Sequence, residues 1–316
     1  MDVQVTAGAG QAILGEHVRA NPFLLKLFLA RLLIRLLSWL PLWLSHALAV
    51  PLGCLLNALP LRKHRVVDRH LTLAFPGLDE PGRRRLRREH WVEMARLVME
   101  MGVVWHWSER KLLKHIVAVE GWEHVESARQ QGRGFLMVGA HLGNWEIMNL
   151  YATIRQPMIC LYKAPKNPRV DQLLTRSRQR FGGQLVASGS PAMRKLLKAL
   201  REGGGIGLLA DQQPKQGEGV FTPLFGEPAL TMTLVNRLAG RTDCAVMLMS
   251  TRRIPFRGWT IRVDRADDRV ADPDPVIANT CLHEWLEASI GDTPAQYLWS
   301  YKRYSIRPPG HAGIYS

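Results

Sequence analysis

From position 23 to position 61 the chain reads FLLKLFLARLLIRLLSWLPLWLSHALAVPLGCLLNALPL, and between Arg35 and Arg62 it carries no Lys, Arg, Asp or Glu. A bilayer core takes about 20 apolar residues, so this stretch reads as a membrane anchor. Pro41, Pro51 and Pro60 argue against one straight helix, although membrane helices tolerate proline better than soluble ones. Lys26, Arg31 and Arg35 precede the run, and Arg62, Lys63, Arg65 and Arg69 follow it. Basic residues on both flanks leave the orientation open, and they suit a kinked or interfacial segment as well as a true span. The plain alternative is a buried helical hairpin, which so long an uncharged stretch disfavours.

After the anchor, Trp91, Met94, Val98, Met101 and Trp105 recur at helical spacing, which predicts an amphipathic helix with that stripe toward a core. Arg83, Arg84, Arg85, Arg87 and Arg88 open it. Such a run is ordinarily a solvated helix face; close to an anchor, each side chain also gains about 1 kcal/mol near an anionic leaflet. The pattern then alternates. Strands are predicted at 134–140, 157–163, 184–187, 205–210, 244–251 and 259–264, and helices near 144–154, 168–181, 191–202 and 231–240. This predicts an α/β fold, a mostly parallel central sheet flanked by helices, preceded by the apolar anchoring helical segment. The expected organisation is a tail at 1–22, the anchor at 23–61 and one domain at 62–316. In such sheets reactive groups collect past the strands' carboxyl ends, where two polar clusters stand: HLGNWE (141–146) and DQQP (211–214).

Composition narrows the partners. The 316 residues are 47% hydrophobic and 22% charged, enough for a sizeable core. A net charge of +15 attracts polyanions such as nucleic acid, anionic lipid or an acidic protein. Cys54, Cys160, Cys244 and Cys281 are scattered without metal or disulfide spacing and read as small buried residues of a reducing compartment. The first 22 residues lack the order of a cleavable secretion signal, so the N-terminus is expected to be kept. GIGLLA lies within a strand rather than after one, there is no GxSxG, P-loop or HExxH, and HEWLE at 283–287 lacks the second histidine. No repeat or nucleic-acid module accompanies the basic charge.

What remains is His141 and Glu146. On one continuous helix a five-residue offset separates side chains by about 140°. They meet only if His141 ends the strand, Gly143 allows a tight turn, and Glu146 points back from the first helical turn, with Asn144 as its N-cap. That geometry supports a histidine base polarised by a carboxylate with no protein nucleophile beside it, so the nucleophile is a substrate hydroxyl. For these two residues alone, a capping glutamate and a satisfied core histidine are the plainer explanation.

Beyond them, a wider set of segments carries a resemblance: HLTLAFP (70–76), VVWHWSER (103–110), VEGWEHV (119–125), GAHLGNWE (139–146), YKAPKNPRVDQLLTRSRQRFG (162–182), ADQQPKQGEGVFTPLFG (210–226) and QYLWSYKR (296–303). In this order, behind an apolar anchor, they resemble the late acyltransferases of lipid A biosynthesis, the lauroyl and myristoyl transferases of the HxxxxD/E acyltransferase group. The resemblance implies a membrane-bound enzyme on the cytoplasmic side of a bacterial inner membrane. It would move a fatty acyl chain from acyl carrier protein to a hydroxyl of a lipid A precursor, without metal or other cofactor.

Carried over by position, His141 deprotonates the acceptor and Glu146 holds and polarises it. Arg178 ranks first, with Lys163, Lys166, Asn167 and Asn144, for stabilising the oxyanion or binding substrate. Asp211 and Gln212 match the ADQ segment and are expected to shape the site wall. His70 stands where the family commonly has Asn, so no role transfers there. An acidic carrier protein, an anionic glycolipid and membrane lipids would all suit the basic charge. The same chemistry on another glycolipid or aminolipid, and a non-catalytic membrane-bound protein that binds anionic lipids, are the alternatives.

Overall fold

The computed structural model describes residues 22–315, so the expected tail lies outside it except for Pro22. The apolar run folds as two helices, α1 (Pro22–Leu37) and α2 (Leu42–Ala58), broken before Pro41. Then come α3 (Lys63–Ala74), α4 (Glu80–Met99), α5 (Met101–His106) and α6 (Glu109–Leu113). The alternating part follows: β1 (Ile116–Glu120), α7 (Trp122–Gln130), β2 (Phe135–Gly139), α8 (Trp145–Arg155), β3 (Met158–Tyr162), α9 (Pro168–Gln179), β4 (Gln184–Ala187), α10 (Ser190–Arg201) and β5 (Gly205–Leu209). A hairpin of β6 (Gly219–Leu224) and β7 (Glu227–Met232), then α11 (Leu234–Ala239), β8 (Ala245–Ile254), β9 (Gly258–Arg265) and α12 (Pro275–Asp292) complete the order.

Seven strands form one sheet in the order β1-β9-β8-β2-β5-β3-β4. It is mixed and mostly parallel, because only the β8–β9 pairing is antiparallel. Side chains of β2 alternate across it. Leu136 and Val138 pack with Leu196, Val235, Leu238 and Leu282 from α10, α11 and α12. Phe135 and Met137 face the other way, onto Val125, Met148 and Tyr151 of α7 and α8. All five residues of β2 are buried, so the central strand lies between two helical layers and its carboxyl end delivers Ala140 and His141 to a fixed place.

The apolar run is bent, as its prolines predict: among the described residues no single helix is long and apolar enough to cross a membrane, and the pair that passes together, α2 with α3, is bent by 95°. One face of α2 is instead docked on the domain. Ser45, His46, Ala49 and Gly53 are buried, and a Cβ on Gly53 would stand 2.3 Å from the Val92 Cα of α4. Phe28, Leu29, Leu33, Trp39, Trp43 and Leu55 are exposed on the outer side of α1, α2 and their corner.

One expectation changes: the predicted stripe fails at Val98, which is 51% exposed, and the helix breaks at Glu100. The buried face of α4 runs through Leu86, His90, Trp91, Glu93, Met94, Ala95 and Arg96. It includes ions that find buried partners, which a count of apolar positions treats as solvent-facing. In the arginine cluster, Arg83 and Arg84 pair with Glu80, Arg85 with Glu89, and Arg87 with Asp68 and Asn57. These are mostly surface pairs of small energetic weight, and Arg87 also ties α4 to α2 and α3.

Candidate active site

The site stands where β2 and β5 end side by side. Their parallel register pairs Gly139 with Leu209, and the Ala210 amide donates to Gly139 O at 3.0 Å. His141 and Asp211, each two residues beyond its strand, are thereby neighbours. The His141 backbone N–H donates to Asp211 Oδ2 at 2.9 Å, and its Nδ1–H donates to Oδ1 at 2.7 Å. With Nδ1 protonated, Nε2 carries the lone pair, which accepts from the Gln212 side-chain amide at 3.1 Å. The Trp145 ring packs edge-on against the imidazole, 4.8 Å between centroids. Burial alone would raise the Asp211 carboxyl; charge and hydrogen bonds from His141, with the charge of Arg303, overcome this and hold it below its ordinary value. Asp211 thus stays a carboxylate, able to orient the ring and to stabilise an imidazolium.

The turn after His141 forms as its residues predict. Gly143 takes φ +61°, where any Cβ would meet Thr251 O at 2.0 Å. Asn144 caps α8 by accepting from the Ile147 amide. Glu146, however, does not turn back to His141. Its carboxylate is taken by Arg178 of α9, with Nε donating to Oε2 at 2.9 Å and Nη2 to Oε1. The carboxylate on the histidine therefore comes from Asp211. The reason is register: the strand ends fix His141 against Asp211, while the first turn of α8 aims Glu146 across to α9.

The other expected residues separate into groups. Gln212 touches the histidine, and Arg178 is held by Glu146 of α8. Asn144 is fully buried, its Oδ1 on the Ile147 amide and its Nδ2 on Glu100, so it faces the interior rather than a substrate. Lys163 and Lys166 are exposed, and Asn167 caps α9 by accepting from the Arg169 amide. His70, where no role could be transferred, is a buried strut. Its Nδ1–H donates to Trp299 O at 2.7 Å and its Nε2 accepts from the Tyr315 hydroxyl at 2.6 Å.

Sequence reasoning missed the groups that brace the turn. Leu298 N–H donates to His141 O, Thr251 Oγ donates to Leu142 O, and the Gly143 amide donates to Gln296 O. The loop past Asp211 is held from the same C-terminal segment: Tyr301 OH accepts from the Gln213 amide and the Ile306 amide donates to Gln213 Oε1. The QYLWSYKR segment was visible in the resemblance, but nothing local marked it as a brace. Among the described residues, the ring partners of His141 are Asp211 and Gln212, and no serine or cysteine bonds it. Cys160 lies near the Glu146–Arg178 pair, but burial pushes its thiol up to about 12 and the thiol donates to Asn149 Oδ1. It is therefore a poor nucleophile at neutral pH.

A histidine oriented by a carboxylate, with no serine or cysteine bonded to it among the described residues, fits transfer to a substrate hydroxyl. Residues 17–305 match the family described as bacterial lipid A biosynthesis acyltransferase. The chain belongs to that family. Among similar proteins, the lipid A biosynthesis lauroyltransferase of Escherichia coli K12 is 28% identical over 280 residues, covering 86% of this chain and 90% of its own. The palmitoleoyltransferase of the same organism is 26% identical over 284 residues, covering 87% and 92%. Its lipid A biosynthesis myristoyltransferase is 24% identical over 255 residues, covering 78% and 76%. The protein is thus an acyltransferase, and the groups gathered at the ends of β2 and β5 are its candidate site. The HxxxxE spacing of the acyltransferase is present in His141 and Glu146, yet it joins two different contacts, one to Asp211 and one to Arg178.

Proposed function

We propose that this acyltransferase moves a fatty acyl chain from the thioester of acyl carrier protein to a hydroxyl of a lipid A precursor at the cytoplasmic surface of the inner membrane. The observation that carries the reading is the pair of hydrogen bonds from His141 to Asp211, which leaves Nε2 as the only basic edge of the ring. The acceptor hydroxyl displaces the Gln212 amide from Nε2 and gives up its proton there as its oxygen attacks the thioester carbonyl. The C–O bond forms, the C–S bond breaks, and the imidazolium returns the proton to the departing thiolate. Asp211 stabilises the imidazolium between these steps.

Glu146 belongs to the same machinery through Arg178. In place of a direct His141–Glu146 dyad, the carboxylate fixes the Arg178 guanidinium against the first turn of α8, the helix that opens just past the His141 turn. There it supplies positive charge to the developing oxyanion or to a substrate phosphate, and a donor already in place is worth more than one that must reorganise. Lys163, Lys166 and Arg169 are exposed at and just before the start of α9 and suit acidic substrates. The exposed apolar outer faces of α1 and α2, with Trp39 and Trp43 at their corner, support seating in one leaflet, because a helix docked along α4 cannot also be surrounded by lipid. Mass spectrometry of lipid A from cells with and without the gene tests the acceptor. A lost acyl group supports the reading, and an unchanged acylation state with an altered glycolipid or aminolipid supports the same chemistry on another acceptor. Full acyl transfer by folded His141→Ala would overturn the mechanism.

A further inference from the structure

Glu100 is a carboxylate with no exposed surface, at the break between α4 and α5. Its two oxygens serve two elements. Oε1 accepts from His46 Nε2 of α2 at 2.7 Å, and Oε2 accepts from Asn144 Nδ2, the cap of α8, at 2.7 Å. Arg253 of β8 lies against both, donating from Nε to Oε1 at 2.6 Å and from Nη2 to Oε2 at 2.7 Å. It also donates from Nη1 to Glu93, which pairs with Arg96. The far side of the His46 ring is fixed too, since Nδ1 accepts from the Phe256 amide at 2.8 Å. Two carboxylates and two guanidiniums thus balance in the interior.

A buried ionic cluster of this kind adds little net stability over apolar packing of the same volume, so stability is a weak account of its presence. Its position is more telling. Each of the four residues from His141 to Asn144 is tied by a group from elsewhere in the chain: Asp211, Leu298, Thr251, Gln296 and, for Asn144, Glu100. Glu100 is the one of these that also grips the helix whose outer face presents Trp43 and Leu55 to the surroundings.

We propose that Glu100 is a positioning residue for acyl transfer: one oxygen holds the Asn144 cap and the other holds α2 through His46, so that the seating of the lipid-facing helix sets where the His141 turn stands. This rests on His141 acting as the base, as argued above. A displacement of about 1 Å at a reacting group can cost on the order of 100-fold in rate, so a loosened cap acts on turnover before it acts on the fold.

The test uses the full chain in phospholipid vesicles, with acyl carrier protein thioester and lipid A precursor as substrates. Asn144→Ser keeps a capping oxygen and removes the bond to Glu100, Glu100→Gln alters the hub itself, and His141→Ala runs beside them. Expected is a fall in kcat of roughly 10- to 100-fold per folded enzyme in both network variants, with KM for the donor within about threefold and the Asn144→Ser melting temperature close to wild type. A readout that needs no substrate is the downfield NMR resonance of the His141 Nδ1 proton, assigned by its loss in His141→Ala. It should exchange faster with water in both variants. Unchanged kcat and unchanged proton exchange in a folded variant overturn the positioning role. A His141→Ala protein that stays fully active instead overturns the reading of the site, and the proton-exchange result then decides the positioning role alone.

Discussion

Asp211 holds His141 at two points, the backbone amide at 2.9 Å and Nδ1 at 2.7 Å, from a position 70 residues further along the chain. The double contact fixes the tautomer as well as the ring, because an ionised carboxylate can only accept and Nδ1 must therefore carry the proton.

Asp211→Asn should leave the protein folded and lower kcat by about 10²- to 10⁴-fold. An amide at this position can donate to Nδ1 and so stabilise the tautomer with a proton on Nε2, where the lone pair is needed. Steady-state acyl transfer beside circular dichroism checks this, and a kcat within a few-fold of wild type in the folded variant would exclude the orienting role.

Glu146 and Arg178 should behave as one unit. Glu146→Gln and Arg178→Ala are each expected to lower kcat/KM by about 10²-fold, and the double variant by little more than either alone, as coupled groups do. Independent, multiplying losses in the double-mutant cycle would mean that the pair seen here is not the working arrangement.

Gly143→Ala should destabilise the fold as well as the reaction. The residue sits at φ +61° with Thr251 O in the space of the added methyl, so strain and the displaced turn together should cost about 2 kcal/mol or more. Denaturant titration of the detergent-solubilised chain measures the loss, and wild-type stability would show that the turn tolerates another backbone path.

Stability should fall steadily on acidification. Burial keeps His70, His90 and His283 neutral and lowers each from 6.5 to about 4. The unfolded chain therefore takes up these protons first, and stability drains between about pH 6.5 and pH 4, at roughly 1–3 kcal/mol per histidine. Burial works against the charge on Glu100, but Arg253 and His46 overcome it and hold the carboxyl at about 2 rather than 4.5. Its contribution is complete above about pH 4.5 and is lost as pH falls toward 2. Denaturation midpoints at pH 7, 6 and 5 check the histidine part, and a flat midpoint across that range would contradict it.

The local pattern was legible where short-range rules apply. The strands that became β2, β3, β4 and β5 and the helices α8, α9 and α10 follow from the spacing of apolar residues, and the Gly143 turn and Asn144 cap from backbone chemistry within a few positions. The β6–β7 hairpin was missed, and the start of the helix expected at 231–240 proved to be the end of β7. That hairpin packs as a separate two-stranded sheet whose edges a linear pattern does not reveal.

By itself the sequence determined the alternation of strands and helices from β2 to β5, the family, and the presence of His141, Glu146, Arg178, Asp211 and Gln212 near strand ends or on neighbouring helices. Which of them touch was decided only by the tertiary structure. The choice of Asp211 over Glu146 depends on the register of two parallel strands, and the burial of Glu93, Glu100 and Arg253 depends on opposite charges arriving together from α4, its end and β8. Periodicity sees one residue at a time and marks each of these ions as solvent-facing, whereas the desolvation that would keep a lone charge outside is offset only when its partners close around it.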